Sequence, residues 1–275
     1  MTEEQLKALD VCVAEKEYIC VVCGGTFKNH IARKVKIRTL DSEIDLRPVT
    51  EPIDVTFYDA IVCEHCGYST LFMFTDKKRS AVAIRTIKEN AETYKHEESP
   101  RFLSGEDALK RFKLALETTQ VTGDIGEKAY IHLKTAWIYR SLKDKENEML
   151  HLTEAAKFFE QVYVEETFPI CKLDEPTFSY LIASIYYLIE NYQSSLQWVG
   201  QVLTSKTAIT PRLKDRAFDL KVNVQKELKK QEEAEGKEPE KQQESKKEES
   251  KKQEPKKQEP EKKSFLSRWG LWKSK

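Results

Sequence analysis

Two Cys-x-x-Cys-Gly sequences constrain the fold of this chain more than any other feature. The first lies within YICVVCGG at residues 18–25, and the second lies within IVCEHCGY at residues 61–68. Two residues between cysteines allow one tight turn to direct both sulfur atoms at a single ion, and the following glycine provides the positive φ of such a turn. We therefore predict one metal site shared by both turns. Its four thiolate ligands would be Cys20, Cys23, Cys63 and Cys66.

Zinc is the favoured metal, and its expected role is structural. Four thiolates fill a tetrahedral coordination shell and leave no position for water or substrate. Iron in the same turns would instead give a rubredoxin-like electron carrier, and this alternative stays open. The sequence contains no nucleophile elbow, no glycine-rich phosphate loop and no His-Glu-x-x-His motif. We therefore expect a protein that is not an enzyme.

The charge balance and the N-terminus predict a cytoplasmic protein. Residues 1–228 carry 31 basic and 35 acidic side chains, so this part has no general attraction for phosphate or anionic lipid. The first ten residues lack the basic and apolar regions of a signal peptide, and no apolar run approaches the roughly 20 residues of a membrane-spanning helix. In a reducing compartment, paired cysteines favour metal binding over structural disulfides.

The predicted fold class is α+β, beginning with a small zinc-ribbon-like β domain over residues 1–75. In ARKVKIRTL, Val35, Ile37 and Thr39 alternate with basic residues, which predicts a half-buried strand. The run DVTFYDAIVC predicts another strand, which leads into the second cysteine pair.

Residues 76–230 predict an all-α domain of about seven helices. Ser80 and Ser104 precede segments with helical periodicity and are expected to cap two of them. An internal repeat with a spacing of 47 residues aligns small and aromatic positions of successive helices. The matched positions are Ala108 and Phe112 with Ala155 and Phe159, and Ala136 and Tyr139 with Ala183 and Tyr186. This pattern is typical of tetratricopeptide-like helical hairpins, which would bind an unidentified protein or peptide.

The C-terminal segment differs in composition from both domains. Residues 231–263 are rich in Lys, Glu, Gln and Pro, cannot bury apolar surface, and are predicted to form a disordered linker. Residues 264–275, SFLSRWGLWKSK, place aromatic side chains on one helical face among basic ones. This terminal peptide suits an anionic surface at the inner membrane face or the groove of a partner, and folding back onto the helices is a third option. Its contact residues would be Phe265, Leu266, Arg268, Trp269, Trp272 and Lys273.

A basic stretch offers a second functional interpretation. From Lys28 to Leu40 the chain has five basic residues and no acidic one, as a nucleic-acid-binding strand would. Acidic residues follow closely and weaken the positive potential, so a solvated strand face is favoured. The nucleic-acid alternative would use Lys28, Arg33, Lys34, Lys36 and Arg38.

These motifs together resemble a bacterial family, the domain of unknown function numbered 2225. The resemblance covers roughly residues 15–225 and rests on YICVVCGGTF, RTLDSEIDL, VCEHCGYST and helices such as ALKRFKLALE. It implies a zinc-ribbon-like head on tetratricopeptide-like helices, with the four cysteines as metal ligands. The chain lacks the proline often found in such cysteine turns, and its tail lies outside the resemblance. The family implies no activity.

The predicted function is therefore a non-enzymatic zinc-binding scaffold or adaptor. Metal would fold the head, and the helical repeats would bind the protein or peptide partner. A nucleic-acid-binding regulator and a rubredoxin-like iron protein are the alternatives.

Overall fold

The computed structural model describes residues 3–250, with side chains described for residues 7–234. Its elements follow the predicted order, with short strands first and helices after them. A short helix, α1 (Glu3–Asp10), precedes the strands. The architecture is α+β, as the sequence predicts.

Three antiparallel hairpins form the N-terminal head. The strands are β1 (Val13–Ile19), β2 (Thr26–Ala32), β3 (Arg38–Ser42), β4 (Pro48–Glu51), β5 (Ala60–Val62) and β6 (Ser69–Leu71). β1 pairs with β2, β3 pairs with β4, and β5 pairs with β6. Each pair is a separate two-stranded sheet, so the head is held together by side chains and helices.

The strand predicted for ARKVKIRTL is wrong, because the chain turns within it. Residues Lys34–Lys36 form a 3₁₀ turn between β2 and β3. This turn moves Val35 into solvent, where it is 88% exposed, while Ile37 packs against Cys12 and Val55. The alternating pattern thus belongs to a turn in which Ile37 is buried, and not to a strand with one buried face.

The strand predicted for DVTFYDAIVC is shorter than expected. Val55–Tyr58 forms a 3₁₀ turn, because the Asp54 side chain accepts a hydrogen bond from the Thr56 N–H at 2.9 Å. Such a bond from a side chain to the nearby backbone competes with extended structure. Only β5 is a strand in this segment, and it leads directly into the second cysteine pair, as predicted.

Seven helices follow the head in the described part of the chain, which agrees with the predicted number. They are α2 (Ala81–Ala91), α3 (Gly105–Thr122), α4 (Ile125–Leu142), α5 (Lys145–Glu165), α6 (Glu175–Leu188), α7 (Tyr192–Thr204) and α8 (Pro211–Ser250). Ser80 caps α2 by accepting the Ala83 N–H at 3.1 Å. Ser104 caps α3 through a reciprocal capping box with Asp107. Both predicted caps are confirmed.

Consecutive helices from α3 to α7 pack as helical hairpins around one core. Most positions matched by the 47-residue spacing are in this core and are no more than 1% exposed: Ala108, Phe112, Ala136, Ala155, Phe159 and Ala183. Alanine at these positions allows neighbouring helices to approach closely. Tyr139 and Tyr186 differ, because both are only half-buried.

A buried ionic cluster holds the β3–β4 hairpin on α4. Asp45 is fully buried and accepts hydrogen bonds from Trp137 Nε1 and Arg140 Nη2, each at 2.8 Å. Arg140 also pairs with Glu43 and, at 2.7 Å, with Glu148 Oε1 of α5. Glu43 and Asp45 of RTLDSEIDL therefore anchor the head to the helices.

Residues up to Leu228 form one compact unit, which ends within α8. The expected boundary between residues 75 and 76 falls inside this unit. α8 continues to Ser250, so helix covers part of the segment predicted to be a disordered linker. The Lys, Glu and Gln that prevent a core in this segment also have high helix propensity.

We predict that Asp45→Ala lowers the free energy of unfolding by about 3 kcal/mol, because it leaves Trp137 without an acceptor and removes a buried partner of Arg140. Asp41→Ala is the matched control in the same hairpin. Asp41 is exposed and its contact with Arg212, at 3.8 Å, is a surface pair, so the expected change is below about 0.5 kcal/mol. Urea denaturation followed by circular dichroism measures both variants. Similar losses in both would contradict the anchoring role of Asp45.

Candidate metal centre

Each Cys-x-x-Cys-Gly sequence forms the turn of a β-hairpin. The first turn connects β1 to β2, and the second connects β5 to β6. The Gly24 N–H donates to the Cys20 carbonyl, and the Gly67 N–H donates to the Cys63 carbonyl, each at 2.9 Å. The φ angles of Gly24 and Gly67 are 75° and 71°, in the left-handed region that favours glycine. The two turns are therefore built in the same way.

The two turns bring all four cysteine sulfur atoms together. Their Sγ atoms lie within 4.8 Å of one another. The Sγ of Cys20 is 3.6 Å from that of Cys66, and the Sγ of Cys23 is 3.7 Å from that of Cys63. A tetrahedral ion with metal–sulfur bonds of about 2.3 Å requires sulfur–sulfur distances of about 3.8 Å. The cluster therefore fits one tetrahedral ion, with two ligands from each turn.

Contacts among the thiols change their acidity in opposite directions. Hydrogen bonds with Cys63 and Cys66 lower the pKa of the Cys20 thiol. The hydrogen bond with Cys20 raises the pKa of the Cys63 and Cys66 thiols. A cation at the centre of the cluster would favour the thiolate form of all four sulfur atoms.

Apolar side chains bury most of the cluster. Cys20, Cys63 and Cys66 are each no more than 5% exposed, whereas Cys23 lies at the surface. The side chains packed around the buried cysteines are Val22, Phe27, Ile61, Tyr68 and Ile87. Ile87 belongs to α2, so the first helix after the head covers the site.

His65 and Tyr94 lie so close to Gly25 and Gly67 that neither position has room for a side chain. The Nε2–H of His65 donates to the Thr26 carbonyl at 2.8 Å, so this side chain joins the two turns. A Cβ atom at Gly25 would lie 2.7 Å from His65 Cδ2, and one at Gly67 would lie 2.6 Å from the Tyr94 ring. Gly67 is therefore required by both its φ angle and its neighbour.

A buried polar clamp connects the two cysteine-bearing hairpins. Asn29 of β2 donates to the Val62 carbonyl at 2.8 Å and accepts the Val62 N–H at 3.2 Å. Arg111 of α3 donates to the Ala60 carbonyl from Nε at 3.1 Å and from Nη2 at 2.7 Å, and it also donates to Asn29 Oδ1. Asn29 and Arg111 are 6% and 5% exposed. Together they hold β2 next to β5, beside the sulfur cluster.

Sequence reasoning missed this clamp. An asparagine in a strand has no spacing signal that reveals its partner. Arg111 carries a weak signal, because it lies three residues after Ala108 and four before Ala115, on the apolar face of α3. A charged residue in that position indicates a buried polar contact, but not which one.

A second ionic cluster, also missed, fixes β6 against the start of α4. The side chain of Arg79 is 2% exposed and pairs with Glu127 Oε2 at 2.5 Å and with Asp124 Oδ2 at 3.0 Å. Glu127 also accepts the Leu71 N–H at 3.1 Å and the Thr70 hydroxyl at 2.5 Å. The strand that follows Cys66 is thus held by a buried carboxylate of the helical region.

The basic residues of the nucleic-acid hypothesis do not share one strand face. Lys28 lies on β2 and pairs with Glu15 at 2.9 Å. Arg38 lies on β3, and the other three bases lie at or beside the 3₁₀ turn between these strands. The hypothesis stays a prediction, with its contact surface divided among three elements.

The structure also locates the cysteines and histidines outside the cluster. Cys12 is buried, and Cys171 is half-buried with its pKa raised to about 12 by burial, as for small apolar residues. His132 and His151, on α4 and α5, lie with their Nδ1 atoms 3.1 Å apart. Burial lowers the pKa of His132 to about 3, so His132 is neutral at physiological pH, and burial also lowers the pKa of His151.

The contact residues predicted for the terminal peptide lie outside the described residues. They are Phe265, Leu266, Arg268, Trp269, Trp272 and Lys273. Binding of this peptide to a membrane surface or to a partner groove therefore stays a prediction. Within the described part of the chain, no helix has the length and apolar character needed to cross a membrane.

We predict that Cys23→Ser reduces bound metal to less than about one tenth of the wild-type content, because an uncharged hydroxyl replaces one of four thiolate ligands. Amides of β1, β2, β5 and β6 should lose hydrogen-exchange protection in the same variant. Cys171→Ser is the matched control, because this cysteine is absent from the cluster. Elemental analysis and hydrogen exchange test both variants, and unchanged protection in Cys23→Ser would contradict the structural role.

Comparison with known proteins agrees with the resemblance drawn from the motifs. Neither the curated proteins nor the solved structures include a significant match to the chain. The profile of the family described as an uncharacterized protein conserved in bacteria (DUF2225) matches residues 13–224, which include both cysteine turns and α2 to α7. Since this match covers most of the sequence, the chain belongs to the bacterial DUF2225 family.

Proposed function

We propose that this protein is a non-enzymatic scaffold or adaptor whose head is folded around one zinc ion. The observation that carries this proposal is the group of four cysteine sulfur atoms within 4.8 Å of one another. With all four positions of a tetrahedral shell taken by cysteine, no position is left for a substrate. The site therefore holds the chain in place and does not react.

The separate sheets of the head support a structural role for the metal. The two cysteine-bearing hairpins do not share a ladder of backbone hydrogen bonds, and isolated two-stranded hairpins are marginally stable in water. Sulfur ligands from both hairpins would join them through one centre. In small domains of this kind, metal binding free energy is folding free energy.

The helical hairpins supply the surface proposed to bind a protein or peptide. Tyr139 and Tyr187 are half-buried, so each ring presents one part to its own chain and another to solvent. The ring centroids of Tyr139 and His151 lie 5.4 Å apart, and those of Tyr187 and Tyr192 lie 5.8 Å apart. Partly exposed aromatic side chains held in place by neighbours are typical anchors of protein interfaces.

Metal analysis of protein purified from its native type of host tests the identity of the ion. We expect about one zinc per chain and no visible absorption, since zinc has a filled d shell. About one iron per chain with a red colour would contradict the zinc proposal and favour the electron-carrier alternative. Substitution of Cys12 by serine is the control, because Cys12 lies outside the cluster and should leave the metal content unchanged.

Site-specific photocrosslinking in the native type of host tests the partner surface. With p-benzoylphenylalanine in place of Tyr187, we expect irradiation to attach a discrete protein partner to the chain. The matched control places the same group at Phe72, an aromatic residue of the head that is 39% exposed. The same products from both positions, or none from Tyr187, would contradict binding through the helical hairpins.

A further inference from the structure

A cleft of about 630 Å³ lies beside the metal centre, between β2, α3 and the segment that follows α2. Its volume is in the range of small-molecule binding sites, roughly 300–1,000 Å³. None of the four cysteines lines it, and it includes none of the tyrosines of the proposed partner surface. The cleft is therefore separate from the functions proposed above.

The inner wall of the cleft contains a buried cation without a carboxylate partner. Arg111 is 5% exposed, and among the described residues no carboxylate oxygen lies within 4.0 Å of its guanidinium. Its Nε and Nη2 donate to Ala60 and Asn29. Its Nη1 has no acceptor in the described part of the chain. This atom is not fully buried, because Arg111 lines the cleft.

This arrangement is energetically unusual. Burying an unpaired charged group is strongly unfavourable, so buried arginines normally lie beside a carboxylate, as Arg79 and Arg140 do here. Burial lowers the pKa of Arg111 to about 10, which still leaves it charged at neutral pH. An anion in the cleft would supply the missing counter-charge, and guanidinium groups bind oxyanions strongly.

Apart from Arg111, the lining of the cleft has six carboxylates and four lysines, none of them fully buried. Glu15 pairs with Lys28 at 2.9 Å, and Glu97 pairs with Lys110 at 3.1 Å. Asp107 accepts hydrogen bonds from Ser104 in the capping box of α3. The remaining charged side chains of the lining are exposed and are screened by solvent: Glu64, Lys95, Glu98, Lys113 and Glu117. Arg111 is the buried charge that remains without compensation.

We propose that this cleft binds a small molecule through a phosphate or carboxylate group that accepts hydrogen bonds from Arg111 Nη1. Tyr94 and His96 form one wall, held by a contact of 3.2 Å between the tyrosine hydroxyl and His96 Nδ1. Asn29 and His30 of β2 also line the cleft, and Asn29 donates to the Val62 carbonyl. The bound group would lie close to the strand that leads into Cys63.

Isothermal titration of the full-length, metal-loaded protein tests this proposal. The probes are inorganic phosphate, succinate and adenosine monophosphate, each at constant ionic strength set with chloride. Leu114→Trp fills the cleft from α3 without removing a contact of Arg111, so it should weaken binding by at least about tenfold. Lys88→Ala removes an exposed charge on α2 outside the cleft and is the matched control, with unchanged affinity expected.

Each outcome decides the proposal. Binding that is weakened by Leu114→Trp and retained in Lys88→Ala supports it. Tighter binding of adenosine monophosphate than of phosphate identifies a phosphate ester, whereas tighter binding of succinate identifies a carboxylate. No binding of any probe up to about 10 mM, or equal affinity in Leu114→Trp, would overturn it.

Nuclear magnetic resonance of the wild-type protein gives a second test that does not depend on the folding of a variant. The guanidinium resonances of Arg111, assigned by through-bond correlations from its own backbone amide in the wild-type protein, should shift as phosphate is added. Shifts confined to exposed lysines would overturn the proposal, because the anion would then bind outside the cleft.

Discussion

The four sulfur atoms must lie within about 4 Å of their neighbours for one tetrahedral ion to bind them all, and the rest of the head follows from this constraint. The chain supplies the sulfur atoms in two pairs, and Cys23 and Cys63 are 40 residues apart. The hairpins that carry them share no sheet, so backbone pairing cannot bring them together. Side chains do so instead, through Asn29 between β2 and β5 and through His65 between the two turns.

Buried charged side chains of the helices keep the head from separating from them. Arg111 of α3 closes the clamp on Asn29, and Glu127 of α4 holds β6. Each of these charges is buried, and a buried charge that loses its partners costs several kcal/mol. Movement of the head away from the helices would leave such groups without hydrogen bonds. Residues up to Leu228 are accordingly one compact unit.

The sequence predicts those parts of the fold that depend on local pattern. The two cysteine turns, the number of helices and the caps at Ser80 and Ser104 each have a signal within a few residues, and each is confirmed. The clamp of Asn29 and Arg111 could not be predicted, because its members are 82 residues apart and neither forms a motif. The strand predicted around Val35 was wrong for a related reason: alternation fits a strand, but a turn anchored by Ile37 has the same pattern over so few residues.

The central position of α4 explains why the internal repeat is incomplete. In a regular array of helical hairpins, each helix contacts only its neighbours in the array, so matched positions have matched surroundings. α4 contacts α3 and α5, but it also holds the head through Glu127, Trp137 and Arg140. It is therefore buried on most sides, and it shares with α6 only the positions that face the common core, such as Ala136 and Ala183.

This asymmetry also limits where a partner can bind under the proposed function. The side of α4 that carries Trp137 and Arg140 is covered by the acidic β3–β4 hairpin and is closed to other chains. Tyr187 and Tyr192, on α6 and α7, are both half-buried, and their ring centroids lie 5.8 Å apart. The segment RTLDSEIDL thus determines both the attachment of the head and which side of α4 is covered.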